Sequence, residues 1–292
     1  LGNSKSPLLF IAVACGVNFV ANIILVGVFR LDVLGTALAT VLAQASSVAF
    51  SLSKIKKNGL PFKVKRNNLI HSKTALVRIL KIGGPIALQE GLVNISFLVI
   101  LAIINSISLV ASASVGISEK LFVFLALVPI SFMYALSAFV AQNVGAKQED
   151  RAIKGLRAGM IASFIFGTAM AALTFLHGDF LAGFFEKDPV VITATQSYLR
   201  AVAGEHLILP FVFCLLGYFN GIGKTTFVLF EGLISSFAVR IPLCYIFSRL
   251  PETDLFTIGL SVPLSSLASL LMCVGYYIFV RNKLLSMYDR CI

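Results

Sequence analysis

The sequence predicts an all-α polytopic membrane protein with eight transmembrane helices, and two observations support this prediction. Of the 292 residues, 58% are hydrophobic and only 13% are charged, whereas about 25% are charged in an ordinary soluble domain. Apolar runs of about 20 residues, the length that crosses a lipid bilayer as a helix, recur along the chain. A soluble globular protein is therefore excluded. The predicted spans are residues 7–29, 33–53, 79–104, 111–141, 155–177, 190–218, 227–248 and 256–280.

The basic residues lie mostly in the connections between the spans. The chain has 24 Lys and Arg against 13 Asp and Glu, a net charge of +11. With eight spans, most of these basic residues fall on the side of both chain ends and of residues 54–78. The positive-inside rule predicts that this side is cytoplasmic, and we expect a multi-pass protein of the plasma membrane. Membrane topology thus explains the positive charge, and we expect no nucleic-acid partner.

A basic connection and a weak repeat predict the domain organisation. Residues 54–78 are basic and contain the helix breakers Gly59 and Pro61, which is typical of a linker between helix bundles. The string at 2–6 (GNSKS), before the first span, recurs in similar form at 221–225 (GIGKT), before the seventh. Because six helices separate the copies, both face the same side, as in transporters built from two parallel halves. A six-helix half then implies that four helices precede this chain in a 12-helix protein.

The cysteines and histidines show no pattern that predicts a metal site or catalysis. The five cysteines and three histidines are scattered, and no pair has the spacing of a metal or redox site. The sequence also lacks a metalloprotease motif on a helix. It therefore predicts no metal, no organic cofactor and no enzymatic activity.

Six short motifs occur in order along the chain, and together they carry a family resemblance. They are residues 1–7 (LGNSKSP), 35–40 (GTALAT), 83–85 (GGP), 141–146 (AQNVGA) with Arg151 nearby, 220–225 (NGIGKT) and 239–242 (VRIP). With this set the chain resembles the multidrug and toxic compound extrusion (MATE) family. The loop at 141–146 is its most specific motif.

The resemblance implies a two-lobed exporter with six helices in each lobe, which exchanges Na⁺ or H⁺ for small organic cations by alternating access. Residues 1–53 would be the last two helices of the N-lobe, residues 54–78 the inter-lobe linker and residues 79–292 the six-helix C-lobe. The preceding N-terminal helices of the same protein would be partners of this chain. No cofactor is implied beyond Na⁺ or H⁺ as the coupling ion.

Two glutamates are expected near the middle of the membrane. At a rise of 1.5 Å per residue, Glu90 and Glu205 lie deep in their predicted spans. Because charge is costly there, such residues are functional candidates, and we predict that this pair carries the ion coupling. On continuous helices, Asn94 shares the face of Glu90 and Tyr198 shares the face of Glu205.

The resemblance bears on these candidates at the level of helices. In the family, the cation-site acids of the C-lobe lie on the seventh and tenth helices of twelve, which correspond to the helices of Glu90 and Glu205. The family spacing on the seventh helix is closer to Asn94 than to Glu90. A structural, hydrogen-bonded glutamate is the alternative interpretation of position 90.

Three further charged residues are predicted to lie inside the spans. Glu119 and Arg200 are expected at similar depths, where they would form an ion pair that serves as a gate or as a structural bridge. Arg240, in the middle of its span, is expected to neutralise Glu205 or Glu231.

The alternatives differ in the charge that they require inside the membrane. A lipid-linked oligosaccharide flippase of the same superfold would need a cationic cavity for a pyrophosphate, but the acids are at least as prominent as Arg200 and Arg240. A channel is disfavoured because two halves and buried carboxylates favour alternating access. The sequence therefore predicts a cation-coupled antiporter, with the flippase as the alternative.

Overall fold

The computed structural model describes residues 5–58, 73–251 and 254–288, and every regular element within these ranges is helical. Two π-helical segments, Ile23–Val28 and Ile234–Arg240, interrupt the α-helices. In chain order the α-helices are α1 (Lys5–Asn22), α2 (Asp32–Asn58), α3 (Lys73–Asn105), α4 (Leu109–Leu125), α5 (Leu127–Gly145), α6 (Glu149–Leu176), α7 (Gly178–Gly183), α8 (Pro189–Val202), α9 (Glu205–Gly221), α10 (Thr225–Leu233), α11 (Ile241–Ser248), α12 (Leu255–Gly259) and α13 (Ser261–Tyr288).

The described residues contain the predicted eight membrane spans. Seven helical segments are each long and apolar enough to cross a bilayer, and α8 with α9 passes the same test as a bent pair. One predicted span has a different form. The segment predicted at 111–141 is α4 followed by α5, separated at Ala126, and only the α5 part meets the length requirement by itself.

The first compact unit of the chain covers Leu1–Ser72. In it, α1 and α2 run antiparallel and pack along their length. The rings of Phe10 and Phe50 meet edge to face with centroids 5.8 Å apart, and the Ser47 hydroxyl donates a hydrogen bond of 3.3 Å to the carbonyl oxygen of Phe10. These contacts hold the two spans together as a helical hairpin.

The predicted linker at 54–78 is helical at both ends. Residues 54–58 continue α2, and residues 73–78 form the start of α3. The boundary between the two compact units, after Ser72, falls within the predicted linker. Residues 59–72 of that linker, including Gly59 and Pro61, lie outside the described residues.

In the second compact unit, Lys73–Ile292, α9 is the central helix. It is in contact with α5, α6 and α13, and it carries an almost continuous series of buried side chains from Leu209 to Phe219. A β-carbon on Gly217 would lie only 2.4 Å from the carbonyl oxygen of Met133 in α5. Glycine at this crossing therefore allows the two backbones to approach closely, as small residues do between membrane helices.

The span formed by α8 and α9 is broken in the interior of this unit. The two helices are bent by 50°, and the break falls at Ala203 and Gly204. Pro210 of α9 has no N–H group, so the carbonyl oxygen of His206 lacks its usual helical partner. This oxygen lies against Gly167 of α6, where a β-carbon would be 2.4 Å away. The break places Glu205, at the start of α9, among packed helices.

Candidate functional site

The second unit contains a buried ion pair between Glu205 and Arg240. The Glu205 side chain is 1% exposed, and its Oε1 lies 3.3 Å from Nη2 of Arg240. The Ser266 hydroxyl of α13 donates a second hydrogen bond to the same oxygen, at 2.8 Å. The other carboxylate oxygen, Oε2, is buried and has no hydrogen-bond partner among the described residues. Glu205 thus has one well-satisfied oxygen and one that is free to interact with something else.

Arg240 is held by three different groups. It is the last residue of the π-helical segment Ile234–Arg240, whose wider turn changes the face on which a side chain emerges. Besides its contact with Glu205, its Nε donates a hydrogen bond of 2.8 Å to the Ser265 hydroxyl. Its guanidinium group also lies over the ring of Phe97, 5.4 Å from the centroid, a distance at which cations and aromatic faces attract. Arg240 therefore has an ionic, a hydroxyl and an aromatic partner.

A small cavity lies beside the ion pair. Its volume is about 20 Å³, which is enough for a single water molecule. The polar side chains around it come from four different helical segments, so the helix packing assembles the site. The lining residues are Phe97, Ser118, Glu119, Phe122, Tyr198, Val202, Glu205, Arg240 and Val262.

A larger cavity of about 460 Å³ lies between α3 and α4. This volume is in the range of small-molecule sites. Its walls are mostly apolar, and its polar side chains are Asn94, Glu119 and Lys120. Phe97, Glu119 and Phe122 also line the small cavity, so Glu119 is an acidic residue common to the two spaces.

The structure does not bring the predicted pair of Glu90 and Glu205 together. Glu90 is exposed, and its Oε1 accepts a hydrogen bond of 3.4 Å from the Tyr134 hydroxyl of α5. The Asn94 amide donates a hydrogen bond of 2.8 Å to the backbone carbonyl oxygen of Glu90 and not to its carboxylate. Asn94 also lines the larger cavity. Tyr198 does line the same cavity as Glu205, even though the helix is broken between them.

The predicted ion pair between Glu119 and Arg200 is absent, and this prediction was wrong. Arg200 is exposed, whereas its neighbours Tyr198 and Leu199 are buried. Among the residues that the structure describes, the single ion pair joins Arg240 to Glu205. Similar depth was the basis of the prediction, but successive residues of a helix point about 100° apart, and Arg200 lies on the outward face. Glu119 instead shares its small cavity with Arg240.

Sequence reasoning missed the serines of α13 that contact the buried charges. Ser265 and Ser266 bind Arg240 and Glu205 as described, and Ser269 donates a short hydrogen bond to Glu231. A signal for them exists in the sequence, because serines recur four residues apart at 261, 265 and 269 and so lie on one face of a helix. A polar stripe of this kind in an apolar helix marks the side that faces buried polar groups.

The helical spans and the charges buried between them define this chain as part of a polytopic membrane protein. A model of the family described as MatE matches residues 85–246, more than half of the chain. The chain therefore belongs to the MatE family.

Relatives with high coverage are similar to this chain at modest identity. It is 24% identical to the probable multidrug resistance protein YoeA of Bacillus subtilis (strain 168), over 97% of this chain and 62% of that protein. It is 29% identical to the probable multidrug resistance protein YpnP of the same organism, over 99% of this chain and 64% of that protein. The chain thus spans less than two thirds of the length of either relative.

The fold is also similar to solved structures. A crystal structure of MATE in complex with MaL6 superposes with a TM-score of 0.86 over 97% of this chain and 63% of that one, at 16% sequence identity. This likeness confirms the fold, including the expected two-lobed helical architecture. Members of the family are transporters and not enzymes, in agreement with the prediction from the sequence.

Proposed function

We propose that the complete protein carrying this chain is a secondary active multidrug efflux transporter, which exchanges Na⁺ or H⁺ for small organic cations by alternating access. The observation that carries this proposal is the buried Oε2 atom of Glu205, which has no partner among the described residues. A buried carboxylate oxygen without a hydrogen bond is costly. A bound proton or Na⁺ would supply the missing interaction.

The coupling step follows from the charges around the small cavity. Arg240 lies beside Glu205 and shares the cavity with Glu119, so one guanidinium serves two carboxyl groups. When a proton or Na⁺ neutralises Glu205, the attraction between Glu205 and Arg240 weakens. Arg240 then becomes available to Glu119. Binding of the coupling ion at Glu205 thereby changes how far Arg240 neutralises the carboxylate of Glu119.

The larger cavity supports an organic cation as the substrate. Phe97 and Phe122 contribute aromatic surface to it, and Glu119 contributes a carboxyl group. Aromatic faces and a carboxylate are the groups that attract an organic cation. Because Glu119 belongs to both cavities, binding of the substrate and binding of the coupling ion would compete for its charge, as exchange requires.

The other predicted site residues take lesser parts in this proposal. Tyr198 is placed beside Glu205 in the small cavity and would orient the coupling ion there. Glu90 and Asn94, on α3, are proposed as contributors to the cation path, since Glu90 is exposed and Asn94 lines the larger cavity.

The setting of the complete protein is proposed on the same grounds. We place the chain in the plasma membrane, with both of its ends and residues 54–78 on the cytoplasmic side, because basic residues concentrate there. The chain spans only 62% and 64% of the two curated relatives. Four further N-lobe helices would account for the remaining length.

The test is transport by the complete protein in proteoliposomes. A fluorescent organic cation is loaded, and H⁺ and Na⁺ gradients are imposed in turn. We expect one of the two gradients to drive movement of the cation. Glu205→Gln and Glu119→Gln should abolish this transport. Glu149→Gln is the control and should retain it, because Glu149 is exposed and lines neither cavity. Normal coupled transport by Glu205→Gln at wild-type expression would refute the assignment of the coupling site.

A lipid-linked oligosaccharide flippase is the second candidate, and Lys120 favours it. The ammonium group lines the larger cavity and fits an anionic pyrophosphate better than an organic cation. The same proteoliposomes decide between the two, when a fluorescent lipid-linked oligosaccharide replaces the cation. Flipping of this lipid that Lys120→Gln abolishes, with no movement of the cation under either gradient, would establish the flippase.

A further inference from the structure

A second carboxyl group is buried against α13, the helix that also contacts the ion pair. Glu231 of α10 is 3% exposed. Its Oε1 accepts a short hydrogen bond from the Ser269 hydroxyl of α13. A neutral hydroxyl group therefore holds Glu231 in place.

The charges around Glu231 do not balance an ionised carboxylate. Arg240 is the cation that acts on Glu231, but its own contacts are to Glu205 and Ser265. Among the described residues, no basic side chain forms an ion pair with Glu231. An unpaired carboxylate inside a membrane is strongly disfavoured, so the surroundings suit a carboxyl group that carries a proton.

The neighbouring elements contribute few other groups that could titrate. From α13 the facing ionisable group is the Cys273 thiol, and from the π-helical segment it is Arg240. On α3, the Gln89 amide lies against the adjacent Gly232, and an amide does not titrate. On α9, no described side chain hydrogen-bonds to Glu231, and the acid of that helix is Glu205 itself.

Two serines of α13, three residues apart, contact Glu205 and Glu231. Ser266 donates to Glu205 and Ser269 donates to Glu231. Residues three apart on a helix lie on one face about 4.5 Å apart along its axis. Glu231 also lies six residues after Thr225, the first residue of α10, which is about 9 Å along the helix. It therefore stands between Glu205 and the exposed turn at Lys224.

We propose that Glu231 is a second proton-binding site, which takes up and releases a proton between Glu205 and the Lys224 end of the helical bundle. Release leaves a carboxylate near Arg240, and the proton passes to water at that end. The new negative charge attracts the guanidinium away from Glu205, so Glu205 binds a proton more readily. The place of this step in transport rests on the proposed function with H⁺ as the coupling ion, whereas protonation of Glu231 does not.

The test is infrared difference spectroscopy of the complete protein in lipid nanodiscs over a pH titration. A protonated carboxyl group has a carbonyl-stretch band that disappears when the proton leaves. We expect one such band to disappear as the pH rises, to be missing from Glu231→Gln at every pH, and to shift in frequency in Ser269→Ala. The matched control is Ser261→Ala, because Ser261 lies on the same helix but donates to the backbone oxygen of Ile258. This control should leave the band unchanged.

Two results would overturn the proposal. In one, wild type and Glu231→Gln give the same carbonyl bands throughout the titration. In the other, the Glu231 band persists unchanged from acidic to strongly alkaline pH, which would mean a permanently neutral structural residue. If Glu231→Gln does not fold, the response of the wild-type band to Ser269→Ala decides the question. Absence of gradient-driven cation transport in the wild type would refute the proposed function alone, because the spectroscopic result does not depend on transport.

Discussion

The ion pair between Glu205 and Arg240 predicts a large energetic coupling between the two residues. Replacing either residue by Gln leaves the other charge buried without its main partner, and such single changes in buried pairs cost about 3–5 kcal/mol. We expect the lower end, about 3 kcal/mol for each, because Arg240 is 14% exposed and Glu205 1%, and the guanidinium keeps its contacts with Ser265 and Phe97.

The magnitude of the coupling follows from the distance. Two unit charges 3.3 Å apart attract by about 5 kcal/mol at an effective dielectric constant of about 20. The cost of removing both charges from water offsets part of this attraction. The double variant should therefore be less destabilised than the sum of the single variants by about 1–3 kcal/mol, within the range of about 0.5–3 kcal/mol for directly contacting residues.

The assay is a double-mutant cycle on the complete protein. Free energies of unfolding are measured in mixed detergent micelles by circular dichroism for Glu205→Gln, Arg240→Gln and the combination. Arg200→Gln paired with Glu205→Gln is the matched control, because Arg200 is an exposed arginine on the adjoining helix α8. The control pair should be additive within about 0.5 kcal/mol. If the coupling energy between Glu205 and Arg240 is no larger than that between Glu205 and Arg200, the ion pair is not formed, and the proposed coupling site would be refuted.

Two further predictions concern packing and pH. Gly217→Ala should destabilise the protein by about 1–3 kcal/mol, because the added β-carbon would lie 2.4 Å from a backbone oxygen of α5. Gly275→Ala is the control and should not destabilise it, because nothing lies within 4 Å of the added β-carbon. Thermal unfolding compares the two variants, and equal stability would contradict the close crossing of α5 and α9. Asp254 is the N-cap residue of α12, and hydrogen bonds from the hydroxyl and backbone N–H of Thr257 lower the pKa of its carboxyl from the ordinary 3.8. A lowered folded-state pKa gives stability that is present above the ordinary pKa and lost as the pH falls through the folded one. Asp254→Ala should therefore cost about 1 kcal/mol at neutral pH and progressively less below about pH 4, and a cost that does not depend on pH would contradict the capping role.

The positions of the charged side chains show where sequence reasoning reached its limit. Tyr198 was expected beside Glu205 because seven residues bring two side chains to the same face of a continuous helix. The two do share a cavity, but the helix is bent by 50° between them. Depth in the membrane led to the pairing of Glu119 with Arg200, whereas burial of Tyr198 and Leu199 turns Arg200 outward. A sequence pattern indicates the depth of a residue in the membrane more readily than the direction in which its side chain points.

The partner of Arg240 shows a second limit of sequence reasoning. The sequence left Glu205 and Glu231 open as its partners, and the structure selects Glu205. The π-helical segment that ends at Arg240 alters the angle at which its side chain leaves the helix. Spacing rules that assume a regular α-helix do not account for this altered angle. Ser265 and Ser269 belong to a stripe that the sequence shows, and Ser266 adjoins it, but only packing shows that these three serines face Arg240, Glu205 and Glu231.

The sequence by itself determined the class of this protein. The number of spans and the family resemblance follow from composition and from local strings of residues, because each span must satisfy its own backbone in lipid. The tertiary structure decided which charges meet. Glu205, Arg240 and Glu119 are far apart along the chain, and the break between α8 and α9, the π-helical segment and the close crossing at Gly217 arise from contacts between helices. Those contacts set the direction of each buried side chain, and with it the chemistry that the site can perform.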